Sequence, residues 1–309
     1  MTFAFRFSET KLMDKLIHGT AAAETIRFMA AITTDITAEA IRRHQTSPTV
    51  SAALGRVLTG TLLLGSSLKD FDRLTVKIEC EGAVKGIVAE ADASGKVRGY
   101  VKNPQAELPF NDNGKFNVSG IIGDGMFYVV RESGYDIGLY REPYVGSVPI
   151  TSGEIAEDFA YYLVKSEQIP SAVLLGVLLQ KSEPFVKASG GVMLQMLPGA
   201  NPHIITMIED TIRRAPHLTS IIDAETTPRD IVKLALGEID FQVLDEREIE
   251  FACNCSFKRA VSLIDSLGKT EVKAMLEEDE GAIMTCGFCN ETYRLDEKDL
   301  REILETNAD

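Results

Sequence analysis

Four of the five cysteines in this chain fall in two tight pairs, Cys253-Asn254-Cys255 and Cys286-Gly287-Phe288-Cys289, separated by thirty residues. Thiolates one or two residues apart can reach one metal ion from the same side of a turn. Two such pairs supply the four sulfurs of a closed tetrahedral zinc site. The Cys286 pair reads as a knuckle in which Gly287 permits the tight turn. The Cys253 pair has a single intervening residue, which is less common in purely structural zinc sites. An all-sulfur site also has a second chemistry. Metal-bound cysteine is a thiolate, the form that oxidants attack, and oxidation can join close pairs as disulfides and remove the ligands from the metal. The residues alone leave both readings open: a static clip that holds a fold, or a sensor of oxidants.

The elements that must position these thiols belong to a chain of 309 residues, 45% hydrophobic and 25% charged, with a formal net charge of −14. The size allows two or three domains and a sizeable core. The acidic balance argues against a surface built for phosphate backbones or anionic lipid, so neither nucleic acid nor membrane is expected as a partner. The sequence from Met1 shows no apolar signal core, and its apolar runs are too short to span a bilayer. The expected location is the cytoplasm, where thiols are kept reduced.

The fold class read from the pattern is α+β, in three parts. Residues 1–197 read as a mixed domain with a mainly antiparallel sheet and helices. Strands are expected at 25–33, 74–80, 84–91, 97–101, 115–121, 126–131, 137–145, 172–180 and 192–196, from alternation and short turn-bounded apolar runs. Helices are expected at 36–44, at 49–68, where Val50, Leu54, Val57, Leu58 and Leu62 mark a well-buried element, and from Thr151-Ser152-Gly153-Glu154, which has capping-box spacing, to about 166. Gly190-Gly191 reads as a turn, and Cys80 as a small inward-facing core residue.

Residues 198–250 read as a helical linker. Ile204, Ile208 and Ile212 share one face. Thr227 and Pro228 start a second helix with Ile231, Leu234 and Ala235 on one side, stopped by Gly237. Helices this short are not stable alone in water and must dock on a neighbour. An acidic stretch, Asp240 to Glu250, follows. Residues 251–309 read as a small zinc-binding domain: helices at 260–267 and 272–278, a hairpin of 283–285 with 292–295, and a last helix capped by Asp296. Seven Lys and Arg against thirteen Asp and Glu in this part exclude a basic nucleic-acid zinc module.

No catalytic constellation is visible. The glycines at 120, 123 and 125 do not make a dinucleotide fingerprint, and no phosphate loop is present. His18, His44, His203 and His217 are scattered. Glu154, Glu157 and Asp158 read as a solvated helix face rather than an acid–base pair. Two enzyme readings stay as rivals: an enzyme carrying a purely structural zinc module, and a thiol–disulfide oxidoreductase using Cys286 and Cys289.

The paired cysteines, together with Gly99-Tyr100-Val101-Lys102-Asn103-Pro104, Gly153-Glu154-Ile155-Ala156-Glu157-Asp158, Ser166-Glu167-Gln168-Ile169-Pro170-Ser171 and Gly190-Gly191 in that order, resemble the heat shock protein 33 family, the 33 kDa chaperonins. The resemblance spans most of the chain. It implies a non-enzymatic, redox-regulated, ATP-independent holdase of the stress response that keeps unfolding proteins refoldable. It implies one Zn2+ per chain, held in the reduced, inactive form by Cys253, Cys255, Cys286 and Cys289. On oxidation it implies disulfides Cys253–Cys255 and Cys286–Cys289, zinc release, unfolding of the zinc domain and linker, homodimerisation, and binding of unfolded client proteins.

Overall fold

An 18-residue helix without an acidic residue and with one arginine must be buried on nearly every side, and α2 (Pro48–Gly65) is: sixteen of its residues are buried. Ser47 caps it by accepting the Val50 N–H, and Pro48 occupies the first turn, where its missing N–H costs nothing. Thr59 and Thr61 donate to the carbonyls of Gly55 and Val57, which satisfies hydroxyls that have no water to turn to. In this computed structural model the described residues are 14–69, 72–133, 142–183, 185–214, 218, 221–223 and 225–306. The chain divides into two compact units, Met1–Phe251 and Ala252–Asp309.

In the first unit α2 packs against two sheets. One has the order β10-β1-β2-β9-β8, built from β1 (Lys15–Ala21), β2 (Ile26–Ile32), β8 (Ser171–Leu179), β9 (Val186–Met196) and β10 (Phe241–Glu248). The other has the order β11-β5-β4-β3-β6-β7, built from β3 (Asp72–Cys80), β4 (Gly86–Asp92), β5 (Lys96–Val101), β6 (Gly125–Ser133), β7 (Tyr144–Pro149) and β11 (Glu250–Phe251). All pairings are antiparallel except the short β11–β5 one. Together with helices α1 (Thr34–His44), α3 (Val118–Ile122) and α4 (Ala156–Lys165) this is the α+β class expected from the pattern.

The first sheet is buried on both faces, and its alternation sorts the side chains. Met29, Ala31 and Met193 join the core around α2. Ile26, Phe28, Ala30, Ile32, Val192 and Leu194 point the other way, into a second core. Two helices complete that second core: α5 (Pro202–Arg214), through Ile208 with Ile204 and Ile212 beside it, and α6 (Pro228–Leu236), through Ile231, Val232, Ala235 and Leu236. Thr227 caps α6 reciprocally with Asp230, and Gly237 ends it at φ 62°. The two faces predicted for residues 204–212 and 231–235 are the faces that dock.

Several expectations are corrected. Gly190 and Gly191 are not a turn; they lie inside β9, paired with Ile32 and Ala31. A Cβ at Gly190 would stand 2.6 Å from the Ala31 carbonyl oxygen and 3.3 Å from Ile231 Cδ1, while one at Gly191 would meet Leu175 Cδ2 at 2.6 Å and Thr59 Cγ2 at 3.2 Å. The pair thins the sheet so that α6 and α2 can approach from opposite sides. The strand expected at 115–121 is replaced by α3, because the Asn117 side chain accepts the Gly120 N–H at 2.9 Å and opens a helical turn. Of the strand expected at 137–145, residues 134–141 lie outside the described residues, and β7 begins at Tyr144.

The capping box expected at Thr151 and Glu154 is displaced by one turn. Buried Asp158 accepts the N–H groups of Thr151, Ser152 and Ile155 and the Thr151 hydroxyl at 2.8–3.0 Å. It is therefore no solvated residue, and Glu154 pairs with Arg56 at 2.8 Å instead. Cys80 is half-buried against the α2 core, where burial pushes its thiol up, as suits a packing residue.

Strands β1 and β10 were not read from the sequence. β10 is the acidic stretch before the cysteines, and it forms the edge of the first sheet by pairing with β1. Lys15 meets Glu246 at 2.7 Å and His18 faces Asp245 at 3.6 Å, so the acidic stretch that follows α6 is an edge strand whose acidic residues remain exposed. The chain then crosses through buried Ile249 to β11, at the edge of the second sheet.

Candidate metal centre

The second unit holds α7 (Phe257–Asp265), α8 (Lys269–Glu278), the hairpin β12 (Gly281–Thr285) and β13 (Thr292–Asp296), and α9 (Glu297–Thr306). Ser256 caps α7 and Asp296 accepts the Asp299 N–H at the start of α9. Its buried apolar residues are few: Ala260, Ile264, Val272, Leu295, Leu300 and Ile303.

Each cysteine pair is positioned by a different local device. Around Cys253 burial alternates: both cysteines are partly buried and Asn254 between them is exposed. In near-extended chain, residues two apart point the same way, so a single spacer puts both sulfurs on one side. Arg259 holds this segment by donating to the Asn254 carbonyl at 2.8 Å. The Cys286 pair lies in the loop of the β12–β13 hairpin. Cys286 N–H donates to the Glu291 carbonyl and Asn290 N–H to the Cys286 carbonyl, each at 2.8 Å. The residue that takes the left-handed conformation is Asn290, at φ 59°, and not Gly287, around which a Cβ would meet nothing within 4 Å. The expectation that Gly287 makes the turn is thus corrected; asparagine tolerates that region well enough to serve.

The four sulfurs predicted as ligands converge. Cys253, Cys255, Cys286 and Cys289 place their Sγ atoms within 4.8 Å of one another, the one such group among the described residues. Cys253 Sγ lies 3.7 Å from Cys286 Sγ and Cys255 Sγ 3.3 Å from Cys289 Sγ. Tetrahedral zinc–thiolate bonds of about 2.3 Å put sulfurs about 3.8 Å apart, so the donor set and its spacing fit such an ion. No disulfide joins any of the four.

Cys289 is buried, and burial pushes its thiol and that of Cys255 up, away from ionisation. A divalent cation inverts this, since a coordinating thiol is deprotonated outright. The Tyr293 hydroxyl donates to Cys255 Sγ at 3.1 Å, a contact the sequence reading missed. Among the described residues the metal-capable group contains cysteines and no histidine: His18 lies on β1, where burial lowers its basicity, His44 ends α1, His203 is exposed on α5, and His217 lies outside the described residues. Among the described residues no helix is long and apolar enough to cross a membrane.

Two mainly antiparallel sheets around a buried helix, followed by a small unit with four converging thiols, define an α+β protein with a four-cysteine module able to hold a metal ion. The family profile described as Hsp33 protein matches residues 14–296. The 33 kDa chaperonin of Desulforamulus reducens is 42% identical over 294 residues, covering 95% of this chain and 98% of that protein. The 33 kDa chaperonin of Listeria monocytogenes is 44% identical over 297 residues, covering 95% and 99%. The crystal structure of the 33 kDa chaperonin, a heat shock protein 33 homolog, from Thermotoga maritima superposes with a TM-score of 0.87 at 35% identity, covering 96% of this chain and 99% of that one. The chain belongs to the Hsp33 family.

Proposed function

We propose that this protein is a redox-regulated, ATP-independent holdase of the cytoplasm, not an enzyme, whose apolar client-binding surface is covered while a zinc ion is held by Cys253, Cys255, Cys286 and Cys289. The observation that carries the reading is the convergence of four thiols, the first of them three residues after the segment 198–250, whose helices cover an apolar sheet face. In this reading the chain works as a body, 1–197, a conditionally folded linker, 198–250, and a switch domain, 251–309. Zinc, when bound, supplies the clamp that joins the 253–255 segment to the β12–β13 loop and keeps all four sulfurs as thiolates.

The switching chemistry belongs to the cysteines. A thiolate attacks a peroxide oxygen, the O–O bond breaks, and the departing hydroxide takes a proton to become water. The sulfur is left as a sulfenic acid. The neighbouring thiolate of the same pair attacks that sulfur and expels a second hydroxide, which also leaves as water. Each pair thereby becomes a disulfide, Cys253–Cys255 or Cys286–Cys289, and one peroxide is reduced per pair.

The energetics favour unfolding after this change. Rings of three or four residues restore only about 1.5–2 kcal/mol each on a chain-entropy argument, against roughly 10–16 kcal/mol for structural zinc in small modules. The few buried residues of the second unit do not compensate. Residues 252–256 continue directly from β11 and β10, so an unfolded switch domain withdraws a fixed end from the edge strand and from the helices before it. Loss of α5 and α6 from the sheet uncovers Ile26, Phe28, Val192 and Leu194 along with Ile208 and Ile231. An apolar face of that kind suits unfolding clients, and a second oxidised copy can share it in a homodimer.

The test pairs metal content and free thiol count with suppression of client aggregation, before and after peroxide. The reading requires one zinc and no suppression in the reduced protein, then zinc loss, four fewer thiols and suppression after oxidation. Suppression that ignores oxidation, or catalytic turnover of a dithiol by the zinc-free chain, would overturn it.

A further inference from the structure

We propose that Tyr293 is a positioning residue that restrains Cys255 and slows its oxidation, so that one hydroxyl sets how fast peroxide trips the switch. The inference rests on the zinc–thiolate reading above. Tyr293 lies on β13 and is held in register opposite Met284 of β12. Its ring is partly buried against the core of the second unit, and its hydroxyl donates to Cys255 Sγ at 3.1 Å. The hairpin loop carries Cys286 and Cys289, so this bond ties the first cysteine pair to the element that carries the second. Cys289 receives a different donor, the backbone N–H of Glu291, which a side-chain substitution leaves in place. The Tyr293 hydroxyl can be deleted by a single atom.

Two physical effects follow from a hydrogen bond to a metal-bound sulfur. It fixes the direction of the ligand, as partners behind metal ligands do. It also draws electron density from the sulfur that must attack peroxide. Nucleophilicity falls as the electron density of a thiolate falls. In the first oxidative step the Cys255 sulfur gives an electron pair to one peroxide oxygen, the O–O bond breaks, and hydroxide leaves and is protonated to water. The sulfur is oxidised by two electrons and the peroxide reduced by two. The Tyr293 hydrogen bond stabilises the starting thiolate more than the sulfenic product, so it raises the barrier to that step.

The experiment uses the full-length reduced protein loaded with zinc, as wild type, Tyr293→Phe and Thr285→Val. Tyr293→Phe keeps the ring and removes only the donor. Thr285→Val removes a hydroxyl of the same hairpin, which faces Thr292 at 3.2 Å and no sulfur. Zinc release under excess hydrogen peroxide is followed with a chromogenic chelator, and cobalt-substituted samples give the sulfur-to-metal charge-transfer band. Tyr293→Phe is expected to release zinc about 10-fold faster, the rate change made when a hydrogen bond to a charged acceptor worth about 1.4 kcal/mol no longer holds back the oxidation step. Its charge-transfer band is expected at lower energy, because a more electron-rich sulfur gives up charge more readily. Thr285→Val should match the wild type in both.

Equal rates and bands in Tyr293→Phe and wild type would overturn the proposal while leaving the zinc switch intact. So would equal acceleration in both variants with no band shift, which would mark a loosened hairpin only. Wild-type protein that binds no metal would remove the switch itself and the proposal with it.

Discussion

Substituting Ile231 by alanine separates the cover from the body more cleanly than any change at the cysteines. Ile231 is 1% exposed and sits on the second core with its Cδ1 over the bare backbone of Gly190. Removing a buried Ile side chain to alanine costs roughly 2–5 kcal/mol, with about 3 a fair central value. Helix α6 has nine residues and no independent stability, so nearly all of that loss falls on docking. A loss of about 3 kcal/mol multiplies the undocked population about 100-fold. Hydrogen exchange on the reduced, zinc-loaded variant should therefore show α5 and α6 amides exchanging about 100-fold faster, with the β3, β4 and β6 amides unchanged. The same sample should suppress client aggregation without any oxidant. If α6 keeps its protection, or if it exchanges only in step with the β3–β6 sheet, the helices are an integral part of the body and the reasoning fails.

Three further outcomes follow from particular contacts. Asp158→Ala removes the acceptor for three N–H groups and a hydroxyl at the start of α4 and should cost about 3 kcal/mol in urea unfolding of the body, with metal content unchanged. Burial pushes the Asp14 carboxyl up to about 7, against the Ile36 and Asp35 N–H groups that hold it down. The folded state then binds more protons than the unfolded one between pH 3.8 and about 7. The contribution of this group is full below that window and is lost as pH rises through it. Between pH 5 and 8 the wild type should lose roughly 2–3 kcal/mol that Asp14→Asn does not lose, read from paired urea titrations. Cys289→Ser, at the buried member of the cluster, should lower zinc affinity by at least 10-fold and unfold the second unit by NMR, while the dispersed resonances of the body stay in place.

The sequence made the candidate metal centre legible because four residues of one reactive type in a chemically restrictive spacing admit few alternatives. It made α2, α6 and the β3–β4 hairpin legible because each is long or sharply punctuated: Val50, Leu54, Val57, Leu58 and Leu62 mark α2, and Thr227-Pro228 and Gly237 bracket α6. What stayed hidden depended on partners distant in the chain. β10 reads as an acidic connector until Lys15 and His18 are placed opposite Glu246 and Asp245. Gly190 and Gly191 read as a turn until helices are seen to press on both faces of β9. Asp158 reads as a solvated helix acid until the loop at 151–155 folds over it. Tyr293 gave no signal beyond lying four residues past Cys289, since a tyrosine on a small hairpin is ordinary until its hydroxyl is found beside a sulfur.

The central claim is that metal held by four thiols keeps α5 and α6 seated on the first sheet. Hydrogen exchange of the wild-type protein, before and after peroxide strips the zinc, tests it most directly. The account predicts that residues 252–306 lose protection first, that α5, α6 and β10 follow, and that β3, β4 and β6 keep theirs throughout. Zinc loss that leaves α5 and α6 as protected as in the reduced protein would contradict it.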